Sequence, residues 1–133
     1  MLVSNNLYAD YLNGYKEFEN QNYQSAFENW QEGADQNDIL SQFYLALLYK
    51  NGLGVEQDYS KAFDLFETVS RKGLIEGNYN LGLLYYNGLG IEKNYNKAFF
   101  NFNIAKDKIV ESYYYLGVIY SEAKGVEIDY LKA

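Results

Sequence analysis

The chain has 133 residues and a net charge of −7, with 18 acidic and 11 basic residues, and it contains neither cysteine nor histidine. Without cysteine there is no disulfide or thiol chemistry, and without histidine the usual general base at neutral pH is missing. The acidic balance would repel a phosphate backbone, which argues against a nucleic-acid partner.

Apolar residues recur at the spacing of amphipathic helices along most of the chain. This spacing predicts helices near residues 38–50, 58–71, 75–87, 94–107 and 110–122. The helices near 38–50, 75–87 and 110–122 carry apolar triplets at corresponding places. These are Leu45, Leu48 and Tyr49, then Leu81, Leu84 and Tyr85, then Leu116, Ile119 and Tyr120. No apolar run approaches the length of about 18 residues that a membrane span needs, so we expect no membrane insertion.

The chain contains an internal repeat of 36 residues. The pentapeptide Tyr-x-x-Ala-Phe occupies residues 23–27, 59–63 and 95–99, and a fourth copy begins at Tyr130, one residue early. A glycine-containing loop recurs as well, at residues 51–56 and 87–92. Equal intervals of this length are typical of stacked helix pairs.

The loops carry turn and cap signals at corresponding places. Gly52 and Gly88 directly follow two of the predicted helices. A helix often ends in a left-handed backbone conformation, which glycine adopts at the lowest steric cost. Asp58 and Asn94 stand directly before a second helix, as N-cap residues do. In the third loop Ala123 replaces the first glycine, which predicts a weaker cap. The turn-forming glycines are Gly52, Gly54, Gly88, Gly90 and Gly125.

These residues resemble a known family of repeat proteins. The pattern Leu81-Gly82, Tyr85, Gly88-x-Gly90-Ile91, Tyr95, Lys97-Ala98 and Phe102 is similar to the Sel1-like repeat of the tetratricopeptide superfamily. The resemblance implies an all-α fold, a right-handed α-α superhelix (solenoid) of antiparallel helix pairs with about six to seven helices. We expect a single domain, residues 1–133, divided into a plain tetratricopeptide-like starter pair at 5–37 and Sel1-like repeats at 38–73, 74–108 and 109–133, the last one truncated.

The resemblance also implies a binding surface, because family geometry places the first helices on the concave side. Residues there that do not face the second helices are the candidate partner-binding residues, and we call them the ladder. The ladder consists of Tyr11, Tyr15, Phe18, Phe43, Leu47, Lys50, Tyr79, Leu83, Tyr86, Tyr114 and Val118. Tyrosine gives a large contact area at low entropic cost, which favours binding. The competing interpretation is a core between repeats, since apolar residues at helical spacing are usually buried.

Small residues and the end of the chain give two further expectations. Gly14, Gly82 and Gly117 are expected at close helix contacts, with Ala46 as the matching small residue. A second helix starting at Tyr130 has room for only one turn. We therefore expect that the chain is a fragment, or that another element or a second copy covers the helix predicted at residues 110–122.

No sequence feature selects a catalytic, metal or cofactor site. The glycine loops lack the preceding strand and third glycine of a dinucleotide fingerprint, and no serine-nucleophile motif occurs. The leading hypothesis is a non-catalytic adaptor that binds a protein partner, a peptide or a helix. The alternative is an inhibitor or immunity-type protein of one cognate effector, and the resemblance leaves a cell-wall-related enzyme as a remote third. We expect a bacterial, cytoplasmic protein, or a periplasmic one if a leader has been removed.

Overall fold

The computed structural model describes residues 3–122, and it describes side chains from residue 10 onward. This range contains seven α-helices and no strand. In chain order they are α1 (Val3–Glu19), α2 (Tyr23–Asp35), α3 (Ile39–Asn51), α4 (Tyr59–Arg71), α5 (Ile75–Asn87), α6 (Tyr95–Ala105) and α7 (Glu111–Ser121). The five predicted helices are confirmed, each end agreeing within two residues.

Each helix packs mainly against its neighbours in sequence, from α1 on α2 through to α6 on α7. Contacts of this kind build a linear stack of helix pairs, because each pair buries its apolar faces against the pairs before and after it. The all-α solenoid is therefore confirmed. The first helices are α1, α3, α5 and α7, and the second helices are α2, α4 and α6. Gly125, Ala123 and the fourth Tyr-x-x-Ala segment lie outside the described residues.

The helices begin and end where the sequence signals predicted. The Asp58 side chain accepts a hydrogen bond from the Lys61 backbone N–H at 3.0 Å, and Asn94 does the same for Lys97 at 2.9 Å. Gly52 and Gly88 end α3 and α5 in the left-handed conformation, with φ of 65° and 67°. These local bonds satisfy backbone groups that the helix termini leave unpaired. The predicted caps are confirmed.

The core repeats a contact between a small residue on a first helix and an aromatic ring on a second helix. A Cβ at Gly14 would overlap the Trp30 ring, and one at Gly82 would lie 2.7 Å from Phe102 Cε1. Trp30 and Phe102 are fully buried. These two predicted close contacts are confirmed. At Gly117 the described residues show no such contact, because no ring or backbone of another helix lies within 4 Å of the place that a Cβ would take.

The second glycine of each loop lies in close contact with the preceding helix pair. A Cβ at Gly54 would overlap the Tyr23 carbonyl, and one at Gly90 would overlap the Tyr59 carbonyl. Tyr23 and Tyr59 are the first residues of α2 and α4, the second helices of the preceding pairs. The backbone of each loop therefore packs directly against the helix pair before it.

Candidate protein-binding surface

Three tyrosines from α1 and α3 form a ring cluster, which we call the N-terminal tyrosine cluster. Its members are Tyr11, Tyr15 and Tyr44, with ring centroids 5.6 to 6.3 Å apart. Tyr44 also stacks on the buried Trp30 ring at 4.9 Å, and the Trp30 indole N–H donates to the Tyr11 carbonyl at 3.1 Å. Tyr15 is exposed and the other two are half-buried. The cluster is therefore held on the core while part of each tyrosine reaches solvent.

A second group on α5 and α7 has the same construction, and we call it the C-terminal tyrosine cluster. It consists of Tyr79, Tyr86, Tyr114 and Tyr115, and the Tyr115 centroid lies 6.5, 5.3 and 5.2 Å from those of the other three, in that order. Tyr115 stacks almost parallel on the buried Phe102 ring, at 4.7 Å and 7°. Tyr114 is 68% exposed, so this cluster also presents an aromatic surface.

A polar pair links α3 and α5 between the two clusters. The Lys50 ammonium donates to the Asn80 side-chain oxygen at 3.1 Å, and the Asn80 amide donates to the Glu76 carbonyl at 2.9 Å. Burial lowers the pKa of Lys50, because desolvation disfavours its charged form. In the repeat register Asn80 occupies the place of Tyr44 and Tyr115, which is why the aromatic surface is divided in two.

Several ladder residues touch the second helices, contrary to the premise on which the ladder was chosen. The Phe18 ring lies 5.8 Å from Trp30, Phe43 lies 5.8 Å from Phe66, and Tyr79 lies 5.8 Å from Phe102. The Tyr86 ring similarly meets Tyr95 of α6 at 5.6 Å. The expectation that ladder side chains face away from the second helices is wrong for these four, because a ring at the flank of a helix pair is long enough to reach across it. All four stay partly exposed.

The rest of the ladder divides between the clusters and the core. Leu47 and Leu83 are half-buried and pack against the buried apolar residues of the core. Val118 is half-buried on α7. Whether any ladder residue binds a partner stays a prediction.

Sequence reasoning missed Tyr44 and Tyr115, the two residues that anchor the clusters to buried rings. Each directly follows a ladder residue, so an aromatic pair recurs at 43–44 and 114–115. The signal was therefore present in the sequence. It is obscured at 79–80, where asparagine takes the second place.

Burial also affects the ionisation of the tyrosine hydroxyls. It raises the pKa of Tyr44 to about 12, and a hydrogen bond with Tyr11 adds to this shift. Burial likewise raises the pKa of Tyr79 and Tyr86. These hydroxyls therefore stay neutral well beyond neutral pH, and they offer a partner hydrogen-bonding groups without a charge.

We expect the folded chain to lose stability as the pH rises above about 10, the ordinary pKa of tyrosine. Unfolded tyrosines ionise near that pH, whereas Tyr44 keeps its proton in the folded state until about pH 12. The folded state thus binds more protons in this window, and the free energy of unfolding falls as the pH rises through it. Helical circular dichroism and tyrosinate absorbance, followed together during an alkaline titration, measure this loss.

Tyr44→Phe should make the alkaline loss smaller, since it removes the hydroxyl with the most strongly raised pKa. Tyr113→Phe, which removes a hydroxyl from an exposed ring of α7, is the matched control. An alkaline transition that is the same in Tyr44→Phe as in the wild type would contradict the prediction.

Within the described residues, no group of three or more acidic side chains is placed to hold a metal ion. None of the described helices combines the length and the apolar character needed to cross a bilayer.

Comparison with protein families gives a match along almost the whole chain. The sequence model of the Sel1 repeat matches residues 3–38, 39–74, 75–108 and 110–133. The first of these segments includes the pair that resembles the plain tetratricopeptide version. No curated protein sequence matches the chain significantly.

Solved structures of similar fold come from several bacteria. A Sel1 repeat protein of Oxalobacter formigenes superposes with a TM-score of 0.82 at 24% identity, over 91% of this chain and 52% of its own. A protective antigen of uropathogenic Escherichia coli strains gives 0.83 at 24% identity, over 95% of this chain and 27% of its own. Cysteine-rich protein B of Helicobacter pylori gives 0.67 at 23% identity, over 83% of this chain and 88% of its own. The chain therefore spans about half the length of the first of these proteins and about a quarter of the second. At these sequence identities the similarity is one of fold.

Proposed function

Because the chain belongs to the Sel1 repeat family, whose members generally act as protein-interaction scaffolds, we propose that it is a non-catalytic adaptor that binds a partner protein along its first helices. The partner segment is a helix or an extended peptide, and it lies across α1, α3, α5 and α7. The observation that carries this proposal is the pair of partly exposed tyrosine clusters on those helices.

The tyrosine clusters are suited to binding because each is stacked on a buried ring of the core. Tyr44 is stacked on Trp30 and Tyr115 on Phe102, so these rings lose little conformational freedom when a partner arrives. Tyrosine combines a large apolar face with a hydroxyl, and it is enriched among the residues that dominate binding energy. Two such clusters can serve as two anchor points for apolar side chains of the partner.

The polar pair between the clusters adds a preference for an acceptor group. Lys50 is partly buried, and it takes part in neither of the two salt bridges of the described residues, Arg71–Glu67 and Lys108–Glu76. A carboxylate or carbonyl oxygen of the partner would restore part of the hydration that the Lys50 ammonium has lost. We therefore propose a partner segment with apolar or aromatic anchors on either side of an acceptor.

Changing Tyr79 and Tyr86 together to alanine should abolish capture of the partner. Removing two aromatic anchors at the centre of an interface commonly costs about 2 kcal/mol or more each, which is at least about thirtyfold in affinity per ring. Affinity capture from cells of the source organism, with quantitative mass spectrometry, measures the loss. Circular dichroism of each variant at the capture temperature reports whether the helices stay folded.

The matched control is Tyr113→Ala with Tyr120→Ala, which removes two exposed tyrosines of α7 that are not part of the ladder. Tyr114→Ala serves as a second test, since its 68% exposed ring contributes little to the fold. Capture that survives both ladder variants, or that falls only in proportion to lost helicity, would contradict the proposed surface and favour the core interpretation.

A further inference from the structure

The outer face of α6 differs from the corresponding faces of α2 and α4. It carries Phe100, which is 56% exposed, and Ile104, which is 41% exposed. One and two repeats earlier the same positions hold Asp64 with Thr68, and Glu28 with Glu32. Among the second helices that the structure describes, only α6 has an apolar pair at these places, so the repeat architecture does not require it.

We propose that this face of α6 pairs with the same face of a second copy of the chain, antiparallel, about a two-fold axis level with Phe102. Such an interface is isologous, so each residue must meet its complement on an identical helix. It involves neither the ladder nor any residue of α7, and it is independent of the proposed partner binding.

The α6 sequence is complementary to itself in this arrangement. Helical spacing puts residues 97, 100, 104 and 107 on one face. The chain stays helical at Lys106, just beyond the end of α6, with φ −57° and ψ −35°. When two such helices run antiparallel and cross level with residue 102, Phe100 lies opposite Ile104 of the second copy. On either side of these, Lys97 lies opposite Asp107 of the second copy.

Residue types therefore match at all four contacts. The apolar side chains cover each other at the centre, and a pair of opposite charges closes each end of the interface. Lys97 and Asp107 are both exposed. Asp107 accepts a hydrogen bond from the Tyr113 hydroxyl at 3.3 Å, and the Lys97 ammonium lies 5.6 Å from the centre of the Tyr85 ring. Neither contact occupies the whole group, because a carboxylate accepts several hydrogen bonds and an ammonium donates three.

The same pairing would be unfavourable for the other second helices. On α2 it would place Glu28 opposite Glu32 of the second copy, and on α4 it would place Lys61 opposite Arg71. Like charges facing each other destabilise an interface. Only α6 among the three described second helices combines an apolar centre with opposite charges at its ends.

The dimer should be weak and dependent on concentration. One pair of helix faces buries less than the roughly 1,200 Å² of a standard stable interface. Each copy also carries a net charge of −7, and the resulting repulsion is screened over about 8 Å at physiological ionic strength. Sedimentation velocity of the full chain at that salt, over about a hundredfold range of concentration up to about 1 mM, is therefore the suitable measurement.

Exchange of charges tests the proposed register directly. Lys97→Glu alone places two carboxylates opposite each other at both ends, and Asp107→Lys alone places two ammonium groups there. Each variant should associate about tenfold more weakly than the wild type. An equimolar mixture of the two should regain association, because each copy then supplies the charge that the other needs.

Phe100→Glu should abolish association. Lys61→Glu makes the same charge change as Lys97→Glu at the corresponding place on α4, and it should leave association unchanged. Tyr120→Glu on α7 should also leave it unchanged, which separates this interface from self-association through α7. A wild-type chain that stays monomeric at the highest concentration would overturn the proposal. So would a mixture of the two charge variants that associates no better than either variant alone.

Discussion

Replacing Gly90 with alanine should lower the free energy of unfolding by about 2–5 kcal/mol, the sum of a left-handed backbone and a steric overlap. Gly90 has a φ of 72°, and a Cβ there would overlap the carbonyl carbon and oxygen of Tyr59. Tyr59 begins α4, so its backbone is fixed by the helix and cannot move aside. The loop would have to lift from the preceding helix pair, which breaks the contact between repeats. Urea unfolding followed by circular dichroism measures the effect.

Gly73→Ala is the matched control for this prediction. Gly73 also has a positive φ, 93°, but nothing lies within 4 Å of the position that its Cβ would take. Its replacement should cost only the conformational penalty, about 1–2 kcal/mol. The difference between the two variants is then the cost of the overlap with Tyr59, and equal losses would mean that the loop does not depend on this close approach.

The helices, caps and glycine turns could be predicted from the sequence because their causes are local. An N-cap such as Asp58 acts on an N–H three residues away, and a left-handed glycine such as Gly52 is required at one place in the chain. The stacking order also follows from the sequence, since equal repeats that cannot bury their apolar faces alone must pack on their neighbours.

The direction of individual rings could not be predicted in the same way. Phe43 and Tyr44 are adjacent on one helix, and helical spacing alone does not decide which ring reaches across to a second helix. In the structure both do, Phe43 to Phe66 and Tyr44 to Trp30, because buried rings on α2 and α4 are placed to receive them. That placement depends on packing between elements, which periodicity does not describe.

The outer face of α6 was missed for another reason. A search for repeats finds what the copies share, whereas Phe100 and Ile104 are a difference between the copies. Once the register is fixed by the structure, such differences become the more informative positions, since the architecture does not explain them.

Phe66→Ala should lower the free energy of unfolding by about 3–5 kcal/mol, the usual cost of removing a buried aromatic ring. Phe66 is completely buried in the middle of the stack, with the Phe43 ring 5.8 Å from its own. A cavity there weakens the packing of α4 on both α3 and α5, and so interrupts the array between its first and third helix pairs. Urea unfolding measures the lost stability, and amide hydrogen exchange should show that protection falls on both sides of α4.

Phe100→Ala provides the comparison, because it deletes the same side chain from an exposed place on α6. At concentrations where the chain is monomeric, this variant should change the free energy of unfolding by no more than about 0.5 kcal/mol. A one-dimensional stack depends on its interior contacts in this way, because a lost contact at the centre separates two groups of repeats while a lost surface ring separates none. Equal destabilisation by the two variants would mean that Phe66 is not part of the contact that joins the repeats.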